Sequence, residues 1–287
     1  CAANLKETRF FLDADYPLSS KYQFEDGLDK YKEFFNHYSP TNLFRLEATP
    51  DYLYSPGTAQ RIKESLPHTK LVFILREPIS RLISWYRFAQ QIGQIPQDYT
   101  FETYVQEQWQ AIEQGLQRPQ YMRALEQGCY WVYLQPYFEL FGTDNVYVTF
   151  QEDLAKDPKA VVQSICCFAG IISSFYENYE FKIINSTQAM KNSKLHSRYV
   201  NLRFRLRKYL HNRVVIRKIL RQLRLLVEPA YYRLNTQATE TFEISDSTKT
   251  FLEDYYKQDV NTLQNLLGKS VPWQTKTASY SELKKNN

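Results

Sequence analysis

Residues 71–86 read LVFILREPISRLISWY, and this stretch decides the predicted fold. Its first five residues form a continuous apolar run, which is typical of a strand buried on both faces of a parallel sheet. Pro78 then predicts the start of a helix that extends to about Gln91, because proline is favoured in the first helical turn. A buried strand followed at once by a helix is the repeating unit of α/β folds.

The rest of the chain alternates strands and helices in the same way. Residues 44–48 and 145–150 predict two further strands. Further helices are predicted from Ser55-Pro56 to about Leu66, from Asp98 or Thr100 onward, over residues 131–140, from Asp157-Pro158 onward and over residues 245–267. We therefore predict an α/β fold with a mostly parallel sheet and helices on both faces.

The composition argues against a membrane-spanning, a disulfide-rich or a zinc-binding protein. The 287 residues are 43% hydrophobic and 23% charged, as in an ordinary globular protein, and no apolar run approaches the roughly 18 residues of a membrane-spanning helix. Of the four cysteines, Cys166 and Cys167 are adjacent in an apolar helical stretch, which suits neither a disulfide framework nor a zinc site. The four histidines show no metal-ligand spacing. We expect reduced cysteines, no bound metal and a cytoplasmic location, with membrane association as the open alternative.

Positive charge is concentrated in one segment. Residues 191–227 contain 12 Lys/Arg and no Asp/Glu, whereas the rest of the chain holds 24 Lys/Arg against 31 acidic residues. We predict a basic helical insertion here, within a single domain of residues 1–273 that is followed by a polar tail, 274–287. The insertion has three interpretations: a solvated helix, an acceptor surface for an anionic polysaccharide, or a peripheral membrane contact. Nucleic acid is not an expected partner, since no base-reading motif accompanies the charge.

Two side chains of the opening stretch suit an anion site. Arg76 follows the predicted strand at its carboxyl end, where open α/β sheets bind their ligands. Its planar guanidinium can bind a phosphate through two donors, and Ser84 could add a hydroxyl. The alternative is an Arg76 paired with a carboxylate such as Glu77, together with a Ser84 that faces solvent.

The segment LREPISRLISWY, with Arg76, Pro78 and Ser84, resembles the 3′-phosphate-binding strand and helix of sulfotransferases that use 3′-phosphoadenosine 5′-phosphosulfate (PAPS). The resemblance is to the carbohydrate branch, that of heparan sulfate sulfotransferases and their bacterial relatives. It extends in order through KETRFF (6–11), GLDKYKEFF (27–35), LEATPDYLYSP (46–56), VYVTFQEDLAKDP (146–158) and FLEDYYKQDVNTLQNLLGKSVPW (251–273). It has a gap over residues 176–245.

This resemblance implies a P-loop-like three-layer fold and transfer of a sulfuryl group from PAPS to a carbohydrate hydroxyl. Arg76 and Ser84 would bind the 3′-phosphate, and Glu47 would be the general base. Lys6 would approach the sulfuryl group or the substrate, unless it is only a solvated lysine. A base is useful because a sugar hydroxyl has a pKa far above 7 and must lose its proton during the transfer.

The sequence also departs from the family pattern. The Lys-x-Gly-Thr-Thr phosphosulfate loop, which in the family lies just upstream of KETRFF, is absent, so we expect an N-terminally truncated chain without the first strand. Ala48 replaces a frequent lysine, Phe88 stands where some heparan enzymes have a catalytic histidine, and the Gly-Lys-x-Lys-Gly-Arg loop is missing. The rival hypothesis is therefore a catalytically inactive fragment or binding module that engages acidic glycan or membrane through its basic segment.

Overall fold

The computed structural model describes residues 2–36, 44–96, 98–181, 189–190, 198–199, 236–237 and 243–273. Apart from Arg198 and Tyr199, the predicted basic segment 191–227 lies outside these ranges, as does the predicted tail. The chain divides into two compact units. The first comprises Cys1–Glu77, Cys129–Phe181 and Tyr256–Asn287, and the second comprises Pro78–Gly128 and Lys182–Tyr255.

Helices dominate the described residues. The α-helices are α1 (Leu28–Lys32), α2 (Thr58–Ser65), α3 (Pro78–Gln91), α4 (Phe101–Glu113), α5 (Tyr130–Phe141), α6 (Gln151–Lys156), α7 (Pro158–Ala169) and α8 (Asp246–Leu267). The strands are β1 (Leu71–Leu75), β2 (Val146–Phe150), β3 (Ala189–Met190) and β4 (Thr236–Gln237). Of the eight helices that the structure describes, none is long and apolar enough to cross a bilayer.

The first unit contains a parallel sheet of β1 and β2, in which Leu71 pairs with Val146 and Leu75 with Phe150. Both strands and their parallel arrangement confirm the sequence prediction. The prediction that β1 is buried on both faces is wrong, because Val72 and Ile74 are 38% and 51% exposed. The described elements pack on the other face, where the Phe73 ring contacts Tyr137 of α5 at 5.0 Å between centroids.

Capping groups explain where several helices begin. The Thr100 hydroxyl accepts a hydrogen bond from the Thr103 N–H at 3.1 Å, and α4 follows. The Asp157 carboxylate accepts one from the Ala160 N–H at 2.9 Å, and α7 follows. Side-chain acceptors of this kind satisfy the free N–H groups of a first helical turn. These two predicted helix starts are confirmed.

Residues 44–48 do not form the predicted strand. Leu46 forms only an isolated parallel bridge with Ala2, and the Ala3 N–H donates to the Leu46 carbonyl at 2.8 Å. The next N–H, that of Asn4, donates instead to the Phe34 carbonyl at 2.8 Å. The ladder therefore ends after one step, and Leu46 remains 66% exposed.

Aromatic side chains form much of the core in both units. In the first unit, Phe10, Phe11 and Tyr31 are buried with ring centroids 5.0–5.1 Å apart. In the second unit, the Tyr86 ring contacts Phe101 and Tyr104, each at 5.4 Å. Such edge and tilted contacts fix the relative orientation of the segments that carry them. The KETRFF segment is thus part of the core of the first unit.

Candidate active site

Glu47 lies within a small hydrogen-bonded cluster in the first unit. The Thr8 hydroxyl donates to Oε2 of Glu47, and its oxygen lies 3.0 Å from the Tyr52 hydroxyl. The Tyr52 hydroxyl also forms a hydrogen bond with Glu47. The Tyr52 oxygen accepts a hydrogen bond from the Phe11 N–H at 3.2 Å. Two hydroxyls, those of Thr8 and Tyr52, therefore lie at the Glu47 carboxylate.

This environment changes the proton affinity of Glu47. Burial raises the pKa of Glu47 above its usual 4.5, and hydrogen bonds from Thr8 and Tyr52 offset only part of the rise. Among the described residues, no lysine or arginine forms an ion pair with Glu47, so its charge is stabilised by neutral donors. A partly desolvated carboxylate of this kind binds a proton more readily than one in water, as a general base requires.

The segment that carries Thr8 is fixed to the segment after Glu47. The Arg9 N–H donates to the Thr49 hydroxyl at 3.2 Å. Arg9 has φ +56°, a left-handed conformation that a non-glycine residue seldom adopts. Its guanidinium is held by the Glu7 carboxylate at 2.9 Å and by the Ser19 carbonyl at 3.2 Å. The turn at Arg9 thereby lets Thr8 reach Glu47 while Phe10 enters the core.

Asp13 makes a second connection between the same two segments. Its carboxylate accepts hydrogen bonds from the Ser55 hydroxyl at 2.6 Å and from Arg61 at 2.7 Å. Burial opposes ionisation of Asp13, but the hydrogen bonds from Ser55, Arg61 and Gly57 outweigh it and hold the pKa below 3.8. A Cβ at Gly57 would lie 2.4 Å from Oδ1 of Asp13, so any larger residue there would displace the Asp13 carboxylate.

Asp13 also explains why the predicted start of α2 at Ser55-Pro56 is early. The Ser55 hydroxyl is bonded to Asp13 rather than to the N–H groups of the helix. A 3₁₀ helix, Pro50–Tyr54, precedes this point, and α2 begins only at Thr58. Tyr52 belongs to that 3₁₀ helix, and its carbonyl accepts a hydrogen bond from the Tyr137 hydroxyl at 2.6 Å. The position of Tyr52 is thereby fixed from both sides.

Lys6 and Arg76 lie in the same unit as Glu47. Lys6 is exposed, two residues before Thr8, and has no hydrogen-bond or ion-pair partner among the described residues. Arg76 directly follows β1, and its carbonyl accepts a hydrogen bond from the Tyr130 hydroxyl at 2.8 Å. The described part of the chain contains no ion pair of Arg76 with Glu77, so the predicted alternative does not hold there. The partly buried Arg76 guanidinium keeps its donors available to a ligand.

Ser84 belongs to the second unit. It lies in the second turn of α3, six residues after Pro78, and is partly buried. Its hydroxyl forms no hydrogen bond with another described residue. The structure thus brings Thr8 and Tyr52 to Glu47, and it places Arg76 at a strand end and Ser84 on the helix that follows.

Four polar residues that shape the first unit were not predicted from the sequence. Thr8 and Glu152 lie within the family motifs 6–11 and 146–158, but nothing in those motifs assigned them a role. Asp13 follows its motif by two residues. Asp259 could have been identified from the sequence, because it falls on the buried stripe of α8 with Leu252, Tyr256 and Leu263. A carboxylate at such a position needs a partner, and Asp259 accepts the Trp131 N–H at 3.0 Å.

Comparison with known proteins agrees with these observations. The sulfotransferase domain family model matches residues 21–213. The bifunctional heparan sulfate N-deacetylase/N-sulfotransferase 1 of Xenopus laevis is 26% identical over 179 residues, 57% of this chain and 20% of that protein. The corresponding enzyme 2 of Homo sapiens is 27% identical over 178 residues, 59% of this chain and 18% of that protein.

A third relative is the membrane-associated sulfotransferase kil1 of Dictyostelium discoideum, which is 33% identical over 96 residues, 31% of this chain and 20% of that protein. The chain spans about a fifth of the length of these curated relatives.

A solved structure shows the fold. The sulfotransferase from Alicyclobacillus acidocaldarius superimposes with a TM-score of 0.59 at 20% identity, covering 95% of this chain and 87% of that chain. The predicted α/β sulfotransferase fold is thereby confirmed. Because the family model matches more than half of the 287 residues, this chain belongs to the sulfotransferase domain family.

Proposed function

We propose that the protein transfers a sulfuryl group from PAPS to a carbohydrate acceptor. The observation that carries the proposal is the Glu47 carboxylate, partly buried and bonded to neutral hydroxyls, in a chain of the sulfotransferase domain family. Its raised pKa suits a base that takes the acceptor's proton as the acceptor attacks sulfur. The Thr8 hydroxyl fixes the rotamer of Glu47 for that contact.

The donor, PAPS, would bind as a substrate, supply the sulfuryl group by breakage of its bond between sulfur and the 5′-phosphate oxygen, and leave as 3′-phosphoadenosine 5′-phosphate. Arg76 and Ser84 are proposed to bind its 3′-phosphate, and the Arg76 guanidinium, which has no ion-pair partner in the part of the chain that the structure describes, suits that phosphate. Lys6 is proposed to approach the sulfuryl group, because an exposed ammonium can neutralise charge on the group in transfer. Sulfuryl transfer resembles phosphoryl transfer, in which positioning and charge stabilisation supply most of the catalysis. No metal is part of this proposal.

The acceptor atom is a sugar hydroxyl or a sugar amine. The hydroxyl is the expectation from the sequence motifs, whereas the names of two relatives specify N-sulfotransferases. Both acceptors lose a proton when they attack sulfur, and Glu47 can accept either proton. An acceptor that carries free amines and one whose amines are all acetylated will distinguish the two.

The test is sulfate transfer from radiolabelled PAPS by the full-length protein. The acceptors are unsulfated heparan-type polysaccharide in N-acetylated and N-deacetylated form. We expect label on at least one of them, dependent on Glu47 and unaffected by Glu64→Gln, the same charge change on an exposed residue of α2. Absence of label from both polysaccharides, with a folded protein that binds PAPS, would overturn the carbohydrate acceptor.

A binding module is the second candidate, because residues 191–227 hold 12 Lys/Arg and no acidic residue. Charge reversal at Arg213, Arg217 and Arg221 should weaken binding to acidic polysaccharide or to anionic vesicles at low salt, while nucleotide binding is retained. Loss on vesicles alone favours a peripheral membrane contact, and loss on polysaccharide alone favours an acceptor surface. Unchanged binding to both would indicate a solvated segment. A cytoplasmic location stays a prediction.

A further inference from the structure

Glu152 contacts the turn that carries Arg76. It lies two residues after β2, and β2 is the parallel neighbour of β1, so both strands end at the same edge of the sheet. The Glu77 N–H donates to Oε1 of Glu152 at 3.0 Å. This N–H belongs to the residue directly after Arg76. Together with the bond from Tyr130 to the Arg76 carbonyl, it fixes both polar atoms of the peptide unit that directly follows the Cα of Arg76.

The second oxygen of Glu152 has a different partner. Trp273 donates its indole N–H to Oε2 at 3.0 Å. The Trp273 ring is 8% exposed and lies 5.2 Å from Phe150 and 5.8 Å from Tyr130 between ring centroids. One carboxylate therefore joins the turn after β1 to a buried indole near the end of the described chain.

A carboxylate is an unexpected group beside an anion site. Its charge would weaken binding of a nearby phosphate by direct repulsion. Among the described residues Glu152 forms no ion pair with Arg76, so it does not neutralise the guanidinium either. Glu152 instead provides two charged acceptor oxygens. Each of them binds an N–H group more strongly than a neutral oxygen would.

We propose that Glu152, with Trp273 as its partner, is a positioning residue that orients Arg76 for the 3′-phosphate of the donor. This inference rests on the proposed role of Arg76. The carboxylate acts through the backbone of Glu77 rather than through its own contact with the ligand. Its loss should therefore weaken donor binding and leave the chemical step unchanged.

The experiment measures calorimetric binding of 3′-phosphoadenosine 5′-phosphate by the full-length protein, together with the melting temperature and the KM for PAPS. Glu152→Ala removes both acceptors, and we expect Kd and KM to rise about tenfold, the effect of losing one hydrogen bond to a charged group. The value of kcat should change little. Glu152→Gln, which keeps one carbonyl acceptor, should restore most of the affinity. Asp153→Asn, an exposed charge change on the next residue, is the matched control.

The outcomes separate this inference from the proposed function. If Arg76→Ala leaves Kd unchanged, the proposed donor site itself is wrong. If Arg76→Ala weakens binding but Glu152→Ala lowers only the melting temperature, Glu152 is merely structural and the inference is overturned. Should Glu152→Ala fail to fold, Trp273→Phe decides, because it removes the indole donor and keeps an aromatic ring. An unchanged Kd in Trp273→Phe would then overturn the inference.

Discussion

The Glu47 cluster and the Arg76 turn belong to the same unit, but their charged side chains are held in opposite ways. At Glu47 the side chain itself is bonded, by the hydroxyls of Thr8 and Tyr52. At Arg76 the bonds go to the adjacent backbone, and the guanidinium has no ion-pair partner within the described residues. The surroundings of a general base must set its pKa, so its side chain is bonded directly. An anion-binding group must instead keep its donors unoccupied until the ligand arrives.

The largest effect should come from the bonded carboxylate. Glu47→Gln keeps the shape and an acceptor for Thr8 but cannot accept a proton. We expect turnover to fall by roughly 10²–10⁴, the usual loss for a general base, with little change in the affinity for 3′-phosphoadenosine 5′-phosphate. Rates with radiolabelled PAPS and calorimetric Kd values measure the two quantities. Near-normal turnover in this variant would show that another residue is the general base, and Glu47 could then no longer be contrasted with Arg76.

Arg76 should show the reverse pattern, in which donor affinity falls and the pH dependence of turnover does not change. Arg76→Ala removes charged hydrogen bonds to the phosphate, so the affinity for 3′-phosphoadenosine 5′-phosphate should fall by about 1.5–3 kcal/mol. The pH dependence of turnover, which belongs to Glu47, should stay as in the wild type. Arg118→Ala, an exposed arginine of the second unit, is the control for loss of one positive charge. An equal Kd for wild type and Arg76→Ala would show that the free guanidinium does not bind the donor.

Sequence patterns predicted the regular elements well, because local capping and burial determine them. Thr100 and Asp157 are the acceptors that begin α4 and α7, and both were readable from the sequence. The errors arise where a distant partner intervenes. Ser55 has the expected sequence of a helix cap, but its hydroxyl is bonded to Asp13, 42 residues earlier. Residues 44–48 have strand-like composition, but the Asn4 N–H turns to Phe34 and the ladder ends.

In the candidate site, too, residues were predicted from the sequence only where their role does not depend on a distant partner. Family motifs identified Glu47 and Arg76, the residues with direct chemical roles in the proposal. They did not identify Thr8 or Glu152, because a hydroxyl or a second carboxylate has a role only through the atom it contacts. Those contacts join segments 39 and 75 residues apart in the chain. Pairings over such separations depend on the tertiary fold, which no local pattern encodes.

A smaller effect should appear in the pH profile of the base. Thr8→Val removes the hydrogen bond that lowers the pKa of Glu47, while burial, which raises it, remains. The pKa of Glu47 should therefore rise further, and the acid limb of kcat/KM should move to higher pH. Thr262→Val, the same substitution at a partly buried position of α8, is the control and should leave the limb in place. A limb that stays fixed, or moves to lower pH, in Thr8→Val would contradict the assignment of that limb to Glu47.

The smallest effect concerns stability, at the carboxylate that caps α5. Burial raises the pKa of Asp259 from 3.8 to about 6, although N–H groups of Trp131, Tyr130 and Val132 lower it. Between these values the folded chain binds a proton that the unfolded chain does not. The resulting stabilisation is complete below the unfolded pKa and is lost as pH rises through the folded pKa.

Asp259→Asn keeps an oxygen that can accept the Trp131 N–H, but it cannot titrate. The variant should therefore gain melting temperature relative to the wild type as pH rises from about 4 to about 7, the interval that spans both pKa values. Asp13, whose depressed pKa gives a slope of opposite sign, is present in both proteins and cancels from the difference. Asp254→Asn, an exposed carboxylate on the same helix, should show no such gain. Thermal unfolding followed by circular dichroism measures the difference, and parallel curves for wild type and Asp259→Asn would mean that the pKa of Asp259 is the same in the folded and unfolded chains. In that case its charge would be stabilised by the first turn of α5 as effectively as by water.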